Sequence, residues 1–348
     1  MFTRRTLTQL MAALSLAPAA AVAQGRPPLS RIAVGSCAKQ TLPQPIWDAV
    51  MAWRPDLFVF MGDNVYGDFN SADATGLKEA YAAARQIAGY ERLRDTVSHL
   101  AIWDDHDYGS NDGGSEFEHK ALSKELFLDF WNAPASDVRR TREGIYDSRV
   151  IGPAGMRVQV ILLDVRWFRS PLRITDQRGA PGKERYLPDP DPAKTMLGVP
   201  QWAWLADELR KPAELRLIVS STQVLAEGHG WERWGNFHLE RQKLFDTIRD
   251  SGAKGVVFVS GDRHIGALYR EQPAGLYPLY EMTSSGLNMV YWAAKEPGPN
   301  RLGALYAAAN FGAIDVDWWE RKVVLSLRDE GGTTRRSVTI DFATIGIG

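Results

Sequence analysis

Several short apolar segments of the sequence end directly in residues that bind metals or transfer protons. RIAVGS, DLFVFMG, HLAIW and GVVFVSG are nearly continuous apolar runs, and most of them end at glycine or serine. Such runs indicate buried strands. Ligands of open α/β sheets bind beyond the carboxyl ends of strands, so we expect the polar side chains that follow these runs to converge. These side chains are Cys37, Asp63, Asp104, Asp105, Asp262 and His264.

Helical patterns lie between these strands. PQPIWDAVMAW has helical spacing, a long helix is predicted over GLKEAYAAARQIAGYERLRDTV, and an amphipathic stretch covers residues 117–130. Further helices are predicted over residues 200–210 and over HLERQKLFDTIRDSG, where Gly252 is typical of a helix C-terminal cap. The alternation predicts a layered α/β domain with some parallel strands, and we expect one domain over residues 30–343.

The second half of the chain adds strands and one long irregular segment. MRVQVILLD and LRLIVSS read as strands, as do GAIDVDW, KVVLSLRD and RSVTIDF near the end. Residues 166–198 are rich in proline, glycine and charge and have no periodicity. A loop of this length is usually functional, so we expect it to wall or cover a site.

The first residues predict an export signal over residues 1–23. Arg4 and Arg5 precede an apolar run too short to span a bilayer, and Ala21-Val22-Ala23 offers small residues for cleavage. The arginine pair resembles a twin-arginine signal. We therefore expect a periplasmic or secreted protein that meets the export machinery, and no later segment is apolar enough to predict a membrane span.

Charge and cysteine content narrow the classes further. A net charge of −1 over 348 residues disfavours a nucleic-acid or membrane-surface role. Cys37 is the single cysteine, so an internal disulfide is excluded. Such a residue is either a small buried apolar side chain or one used for its thiolate.

Carboxylates at neighbouring strand ends would repel one another unless cations neutralised them, which is the physical case for a metal. In GDNVYGD, Gly62 permits a sharp turn, Asp63 projects at its tip and Tyr66 can fold back toward it. A carboxylate with a phenolate suits ferric iron. Asn64 of the same turn is a further possible ligand. The alternative is that GDN is ordinary turn chemistry.

Two more motifs supply ligands. WDDHDYGSNDGG crowds oxygen donors around His106, which suits calcium or magnesium unless the segment is only a solvated acidic loop. In SGDRHIG, Asp262 and His264 alternate around Arg263 and would point the same way in an extended segment. The oxygen donors of WDDHDYGSNDGG are Asp104, Asp105, Asp107, Asn111 and Asp112.

Taken in order, these motifs resemble the PhoD-like alkaline phosphatase family of the calcineurin-like metallophosphoesterases. The resemblance runs from about Ile32 to Asn288 and includes LLDVRWFR, PQWAWLADEL, STQVLAE and EMTSSGLN. It implies an α/β fold, a layered sandwich of mixed sheets flanked by helices. Since the predicted mature chain begins only a few residues before its first strand, we expect a short member without the amino-terminal β-sandwich domain of longer members.

The resemblance also implies a metal centre. One group of side chains would hold Fe³⁺, and Asp63 would bridge to a second ion, Ca²⁺ or another divalent metal, bound by Asp105 and Asp262. Asp104 is a further possible ligand or site-lining residue. Where the wider superfamily has a histidine ligand, this chain has Ser221-Thr222-Gln223, so Gln223 is a possible replacement. The side chains implied for Fe³⁺ are Cys37, Asp63, Tyr66 and His264.

The implied activity is an exported alkaline phosphomonoesterase for small phosphate esters, in which metal-activated hydroxide attacks phosphorus in line. His106 would assist the leaving oxygen, and Arg166 and Arg263 would bind the phosphate, unless Arg166 is an ion-pair partner of Asp164. The alternatives are a phosphodiesterase or phospholipase-type hydrolase on the same metals, and a calcium-stabilised protein without catalysis. The residues His229, Trp231 and Trp234 either line a substrate pocket or are packing residues.

Overall fold

The computed structural model describes residues 27–348, and the predicted signal peptide lies outside them. Within this range the chain forms seven α-helices and fourteen strands. The helices are α1 Ile46–Trp53, α2 Thr75–Ala84, α3 Ala88–Thr96, α4 Asp105–Tyr108, α5 Lys120–Phe130, α6 Gly198–Leu209 and α7 His238–Ser251. The strands are β1 Arg31–Gly35, β2 Leu57–Met61, β3 His99–Ile102, β4 Asp147–Ile151, β5 Val158–Leu162, β6 Arg173–Ile174, β7 Tyr186–Leu187, β8 Leu215–Ser220, β9 Val256–Ser260, β10 Gly266–Glu271, β11 Leu279–Ser284, β12 Phe311–Asp317, β13 Lys322–Arg328 and β14 Thr334–Asp341.

Two six-stranded mixed sheets form the centre of the fold. The first has the order β14-β13-β12-β1-β2-β3, in which β1, β2 and β3 are parallel and the carboxyl-terminal strands pair antiparallel. The second has the order β10-β11-β9-β8-β5-β4, in which β11, β9, β8 and β5 are parallel. Helical crossovers connect β1 to β2, β2 to β3, β5 to β8 and β8 to β9, as the sequence pattern predicts, whereas β9 is connected to its parallel neighbour β11 through β10.

The sheets pack face to face, and helices cover their outer faces. Val59 and Val160 belong to the shared core, whereas Phe58 turns its ring to Trp47 of α1, with centroids 5.7 Å apart. On the outer side of the second sheet, Ile218 packs with side chains of α6 and α7 such as Leu205. This four-layer arrangement confirms the expected sandwich of mixed sheets flanked by helices. The extent of a single domain over residues 30–343 stays a prediction.

The sequence pattern misplaces some elements. The long helix predicted before β3 is two helices, α2 and α3, because Ile87 adopts an extended conformation (φ −84°, ψ 105°). Three strands of the second central sheet, β4, β10 and β11, are missed by the sequence pattern, as are the two-residue strands β6 and β7. In β11 the apolar run is interrupted by Glu281, which is fully buried and accepts hydrogen bonds from the backbone N–H groups of Val224 and Leu225 (2.8 and 2.6 Å).

The carboxyl ends of the parallel strands meet at one edge of the sandwich. A parallel bridge between Ser36 and Ser285 joins the two sheets there, directly after β1 and β11. The long segment over residues 166–198 has little regular structure apart from the two-residue strands β6 and β7, in agreement with the predicted loop. No helix within residues 27–348 has the length and apolar character needed to cross a membrane.

Candidate metal centre

The backbone at the strand ends is held in an unusual conformation. Four residues that follow strands have positive φ values: 62° at Cys37, 49° at Asp63, 66° at Asp262 and 56° at His264. A side chain in this left-handed region costs about 1–2 kcal/mol. Such strain persists where surrounding structure enforces it and clusters at functional sites. All four residues are among the ligands implied by the motifs.

The structure brings the implied ligands together. We use "ligand cluster" for Cys37, Asp63, Tyr66, Asp105, Asp262 and His264. Ligand atoms of Cys37, Asp63 and His264 lie within 4.8 Å of one another. The same limit holds for Asp63 with Asp105 and His106, and for Asp105 with Asp104 and Asp262. Asp63 and Asp105 each belong to two of these groups, so either carboxylate is placed where two ions could share it.

Asp107 fixes the two loops that carry the carboxylates. Its side chain accepts hydrogen bonds from the backbone N–H groups of Asp63 (3.2 Å), Asn64 (3.2 Å) and Asp104 (2.5 Å). Gly62 makes the close approach of these loops possible, because it has a φ of 96° and a Cβ there would lie 2.5 Å from the Cβ of Asp104. The GDN and WDDH motifs are thus parts of one rigid unit.

The aromatic and imidazole groups of the site contact one another. The hydroxyl of Tyr66 lies 3.1 Å from Nε2 of His264, so Tyr66 does fold back toward the ligand cluster. The ring of Tyr66 also packs on the ring of His106, with centroids 4.3 Å apart. Nδ1 of His106 is 3.0 Å from the carboxylate of Asp68, which orients the imidazole.

The electrostatics of the cluster call for cations. Burial raises the pKa of the Cys37 thiol to about 12, and burial together with neighbouring acids raises the pKa of Asp63 and of Asp262 well above the usual range. Burial lowers the pKa of His264 to about 4, which keeps the imidazole neutral and able to bind a metal. Negative charge on Asp63 and Asp262 therefore requires positive charge placed beside these acids. The pKa of Asp105 is lowered despite its burial, because Arg166 and His106 stabilise its charge.

Buried polar atoms without a hydrogen-bond partner also indicate cations at this centre. Oδ1 of Asn64 and Oδ2 of Asp104 are buried and have no hydrogen-bond partner among the described residues. An unpaired buried oxygen is costly and requires an explanation such as an ion. With sulfur, imidazole and phenol on one side and carboxylates on the other, the donors fit two different metal ions side by side.

A cavity of about 280 Å³ opens onto this centre. Besides the carboxylates, it is lined by His106, Arg185, Arg263, Trp231 and Tyr291. The guanidinium groups of Arg185 and Arg263 lie 5.3 and 4.9 Å from the ring centroid of Trp231. The structure thus puts Arg263 and Trp231 in the cavity, as the sequence suggests.

Arg166 does not line this cavity. Its side chain is fully buried, and it pairs with Asp104 (Nε to Oδ1, 2.7 Å) and Glu232 (Nη1 to Oε2, 2.8 Å). Arg169 is equally buried and also contacts Glu232 (3.1 Å). We call Arg166, Arg169, Asp104 and Glu232 the arginine cluster. Arg166 therefore forms these ion pairs instead of the predicted contact with substrate. Asp164 accepts a hydrogen bond from the backbone N–H of Arg166 but not from its side chain.

Three other predicted site residues do not line the cavity. Trp234 is fully buried in the core of the second sheet, where its Nε1 donates to Ser220 (3.0 Å). His229 is buried and lies 3.0 Å from Oε1 of Gln223. The amide of Gln223 donates to Tyr269 and Thr283 (3.1 and 2.9 Å), so its hydrogen-bonding capacity is spent inside the fold. The position of the superfamily histidine is therefore not filled by Gln223.

Sequence reasoning missed several contributors. The hydroxyl of Ser285 lies 3.1 Å from the sulfur of Cys37 and accepts from the backbone N–H of His264 (2.8 Å). Ser285 belongs to EMTSSGLN, a segment included in the family resemblance, so the sequence offered a signal for it. Asp68 is the last residue of the motif GDNVYGD, so the sequence offered a signal for it as well. Arg185 had none, because a charged residue in a loop is ordinary.

Comparison with known proteins identifies the family. The sequence profile of the PhoD-like phosphatases matches residues 32–300. The chain belongs to the PhoD-like phosphatase family. It is accordingly a metal-dependent hydrolase that acts on phosphate esters. A search of curated protein sequences finds no match.

Solved structures share the PhoD-like fold. A structure of PhoD superimposes with a TM-score of 0.70 at 16% identity and covers 91% of this chain and 70% of its own. Purple acid phosphatase PPD1 from yellow lupin (Lupinus luteus) seeds has a TM-score of 0.59 at 12% identity, with 92% and 55% covered. GAP50, the anchor in the inner membrane complex of Plasmodium, has 0.57 at 11% identity, with 90% and 89% covered. At these identities the structures show the shared fold alone.

Proposed function

We propose that this PhoD-like protein is a phosphomonoesterase of small phosphate esters that works under neutral to alkaline conditions. The observation that carries the proposal is the juxtaposition of the ligand cluster with His106 and Arg263 in one small cavity. Its volume of about 280 Å³ lies at the low end of ligand sites and favours a compact substrate.

The ligand cluster would hold two ions. We propose Fe³⁺ beside Cys37, Tyr66 and His264, and Ca²⁺ beside Asp105 and Asp262, with Asp63 between them. When bound, such ions polarise phosphoryl oxygens and lower the pKa of a water toward neutrality. The support for this assignment is the division of the donors into a sulfur, nitrogen and phenol group and a carboxylate group.

The protein side chains would orient the ester and manage its protons. Arg263 faces the cavity and is fixed by Glu296, whose carboxylate lies 3.0 Å from its Nη2. A guanidinium held in this way suits a phosphate oxygen. His106 is oriented by Asp68 and donates a hydrogen bond to the leaving oxygen in the proposed reaction, which general acid catalysis makes worth about 10²–10⁴ in rate.

A direct assay tests the proposal. Protein loaded with iron and calcium should release phosphate from nitrophenyl phosphate faster than it releases nitrophenol from bis-nitrophenyl phosphate. Faster hydrolysis of the diester, or of a phospholipid, would reject the monoesterase. Elemental analysis of the purified protein should find iron, and tyrosinate or thiolate bound to it should give a purple to violet colour. Protein that is active without iron would reject the ferric assignment.

Export through the segment over residues 1–23 completes the proposal, with the periplasm or the medium as the place of action. The arginine pair and the apolar run of that segment support it. Fractionation of cells that produce the full chain tests it: the mature protein should appear outside the cytoplasm, and replacement of both Arg4 and Arg5 by lysine should retain it inside. An unchanged distribution of this variant would reject the twin-arginine route.

A further inference from the structure

A second cavity adjoins the one over the metal centre. It measures about 260 Å³ and shares three lining residues with the first, Asn111, Asp112 and Arg185. We call it the outer cavity. Its remaining walls come from the long segment after β5 and include Thr175 and Arg178. The two cavities therefore meet at Asn111, Asp112 and Arg185.

Arg185 is built into the junction of the two cavities. Its backbone N–H donates to the carbonyl of Gly230 (2.9 Å), and its guanidinium lies over the ring of Trp231. Nη1 pairs with Oδ2 of Asp112 (2.5 Å). This is the one side-chain hydrogen bond of Arg185 to a residue within 27–348, so the other N–H groups of the guanidinium are free for a ligand.

Asp112 connects this arginine to the metal centre. Its backbone N–H donates to Oδ2 of Asp105, a member of the ligand cluster, at 2.7 Å. Its carboxylate also accepts from the hydroxyl of Tyr186 (2.7 Å). The distance between Arg185 and the ligand cluster is therefore fixed by the fold, as the recognition of two groups on one substrate requires.

The sign of the charge changes between the two cavities. Five carboxylates, those of Asp63, Asp105, Asp112, Glu232 and Asp262, line the first cavity. The outer cavity has one, that of Asp112, against the two guanidinium groups of Arg178 and Arg185. Arg178 is exposed and forms no ion pair with any residue from 27 to 348. Its charge is therefore available to an anion.

We propose that the outer cavity is a subsite for a second anionic group of the substrate, bound by Arg178 and Arg185. The inference rests on the proposed phosphomonoesterase and defines its substrate class as small phosphate esters that carry another phosphate or carboxylate beyond the ester oxygen. The arginines bind and position this group, while the ester phosphate stays with the ligand cluster and Arg263.

Two substrates that differ only in the remote group test the subsite. These are propane-1,3-diyl bisphosphate and propyl phosphate, for which kcat/KM of the metal-loaded full-length protein is measured. Wild type should prefer the bisphosphate. Because Arg178 is exposed, Arg178→Ala should lower this preference by about threefold to fivefold. The loss should lie in KM for the bisphosphate, and kcat/KM for propyl phosphate should not change.

Arg173→Ala is the matched control, because Arg173 is exposed on the same segment but does not line the outer cavity. Equal preference for both substrates in wild type, or equal effects of the two substitutions, would overturn the subsite. Calorimetric binding of both compounds to a His106→Asn background separates the two proposals. Arg178-dependent binding of the bisphosphate without turnover in wild type would reject the esterase and keep the subsite. Turnover of propyl phosphate, together with no effect of Arg178→Ala, would reject the subsite and keep the esterase.

Discussion

The ligand cluster and the arginine cluster are both buried and both charged, yet they differ in how their charge is balanced. In the arginine cluster, the guanidinium groups of Arg166 and Arg169 face the carboxylates of Asp104 and Glu232, so the charges cancel within the protein. In the ligand cluster, Asp63, Asp105 and Asp262 lie near the Cys37 thiol. No arginine or lysine within residues 27–348 forms a salt bridge with these three acids, although Arg166 and Arg263 are near enough to act on Asp105 and Asp262.

This difference separates the arginine cluster, which stabilises the fold, from the ligand cluster, which is suited to bind ions. A buried ion pair that is complete needs nothing from outside, whereas buried acids without a counter-charge require a cation. Asp104 belongs to both regions, because one of its oxygens contacts Arg166 and the other has no hydrogen-bond partner among residues 27–348. Substitutions in the ligand cluster should therefore lower metal content and activity, whereas substitutions in the arginine cluster should lower the stability of the fold.

The largest effect is expected at Asp63. Asp63→Ala removes the carboxylate shared by two of the ligand groups, so both ions should bind poorly and phosphate release should fall by at least about ten-thousandfold. Elemental analysis and a phosphate assay measure the two losses. Asp207→Ala, at an exposed surface ion pair on α6, should change neither. Full metal content in the Asp63 variant would contradict the comparison, because the ions would then bind without the carboxylate of Asp63.

The next effect concerns stability. Arg166→Ala leaves Asp104 and Glu232 as buried charges without a partner, which should lower the free energy of unfolding by about 3–5 kcal/mol. Urea unfolding measures this loss, and Arg210→Ala at an exposed pair should stay within about 0.5 kcal/mol of wild type. A variant with normal stability but a raised KM would instead return Arg166 to the substrate-binding role predicted from the sequence.

A smaller effect is expected at His106, which lies at the edge of the ligand cluster. His106→Asn removes the group proposed to protonate the leaving oxygen, so hydrolysis of an alkyl phosphate should fall about a hundredfold. Nitrophenyl phosphate needs less protonation of its leaving group and should lose much less. Comparing kcat for the two esters, with metal content unchanged, isolates this role. Equal losses on both esters would favour a function in metal binding.

The smallest effect is expected at Trp231. Its ring supports the guanidinium groups of Arg185 and Arg263, and each cation–π contact contributes about 0.5–1 kcal/mol at exposed sites. Trp231→Leu should therefore raise KM about threefold to fivefold and leave kcat and metal content nearly unchanged. Trp319→Leu, at an exposed tryptophan after β12, is the control. A large fall in kcat would show that the cavity wall takes part in forming the metal centre.

The sequence predicts the strand ends well because their pattern is local. Each apolar run followed by glycine and an acid marks both a buried strand and the side chain that leaves it, so the sequence alone places Asp63 and Asp262 together. The same reasoning missed β11, since a buried Glu281 satisfied by backbone N–H groups looks polar in a sequence.

The arginines show where local pattern fails. Arg166 and Arg185 lie in the same proline- and glycine-rich segment, and no spacing distinguishes them. Only the tertiary fold buries the first against Asp104 and brings the second over Trp231. Trp234 and His229 illustrate the same limit, because an aromatic residue near a motif packs inward or outward according to contacts from distant strands.

The bridge between Ser36 and Ser285 also has a consequence for how the protein folds. Cys37 and Asp63 leave the first sheet, whereas Asp262 and His264 leave the second, about 200 residues later in the chain. A complete set of donors exists only after both sheets have docked. Metal uptake should therefore be a late event in folding, and the free energy of ion binding should strengthen the seam between the two halves.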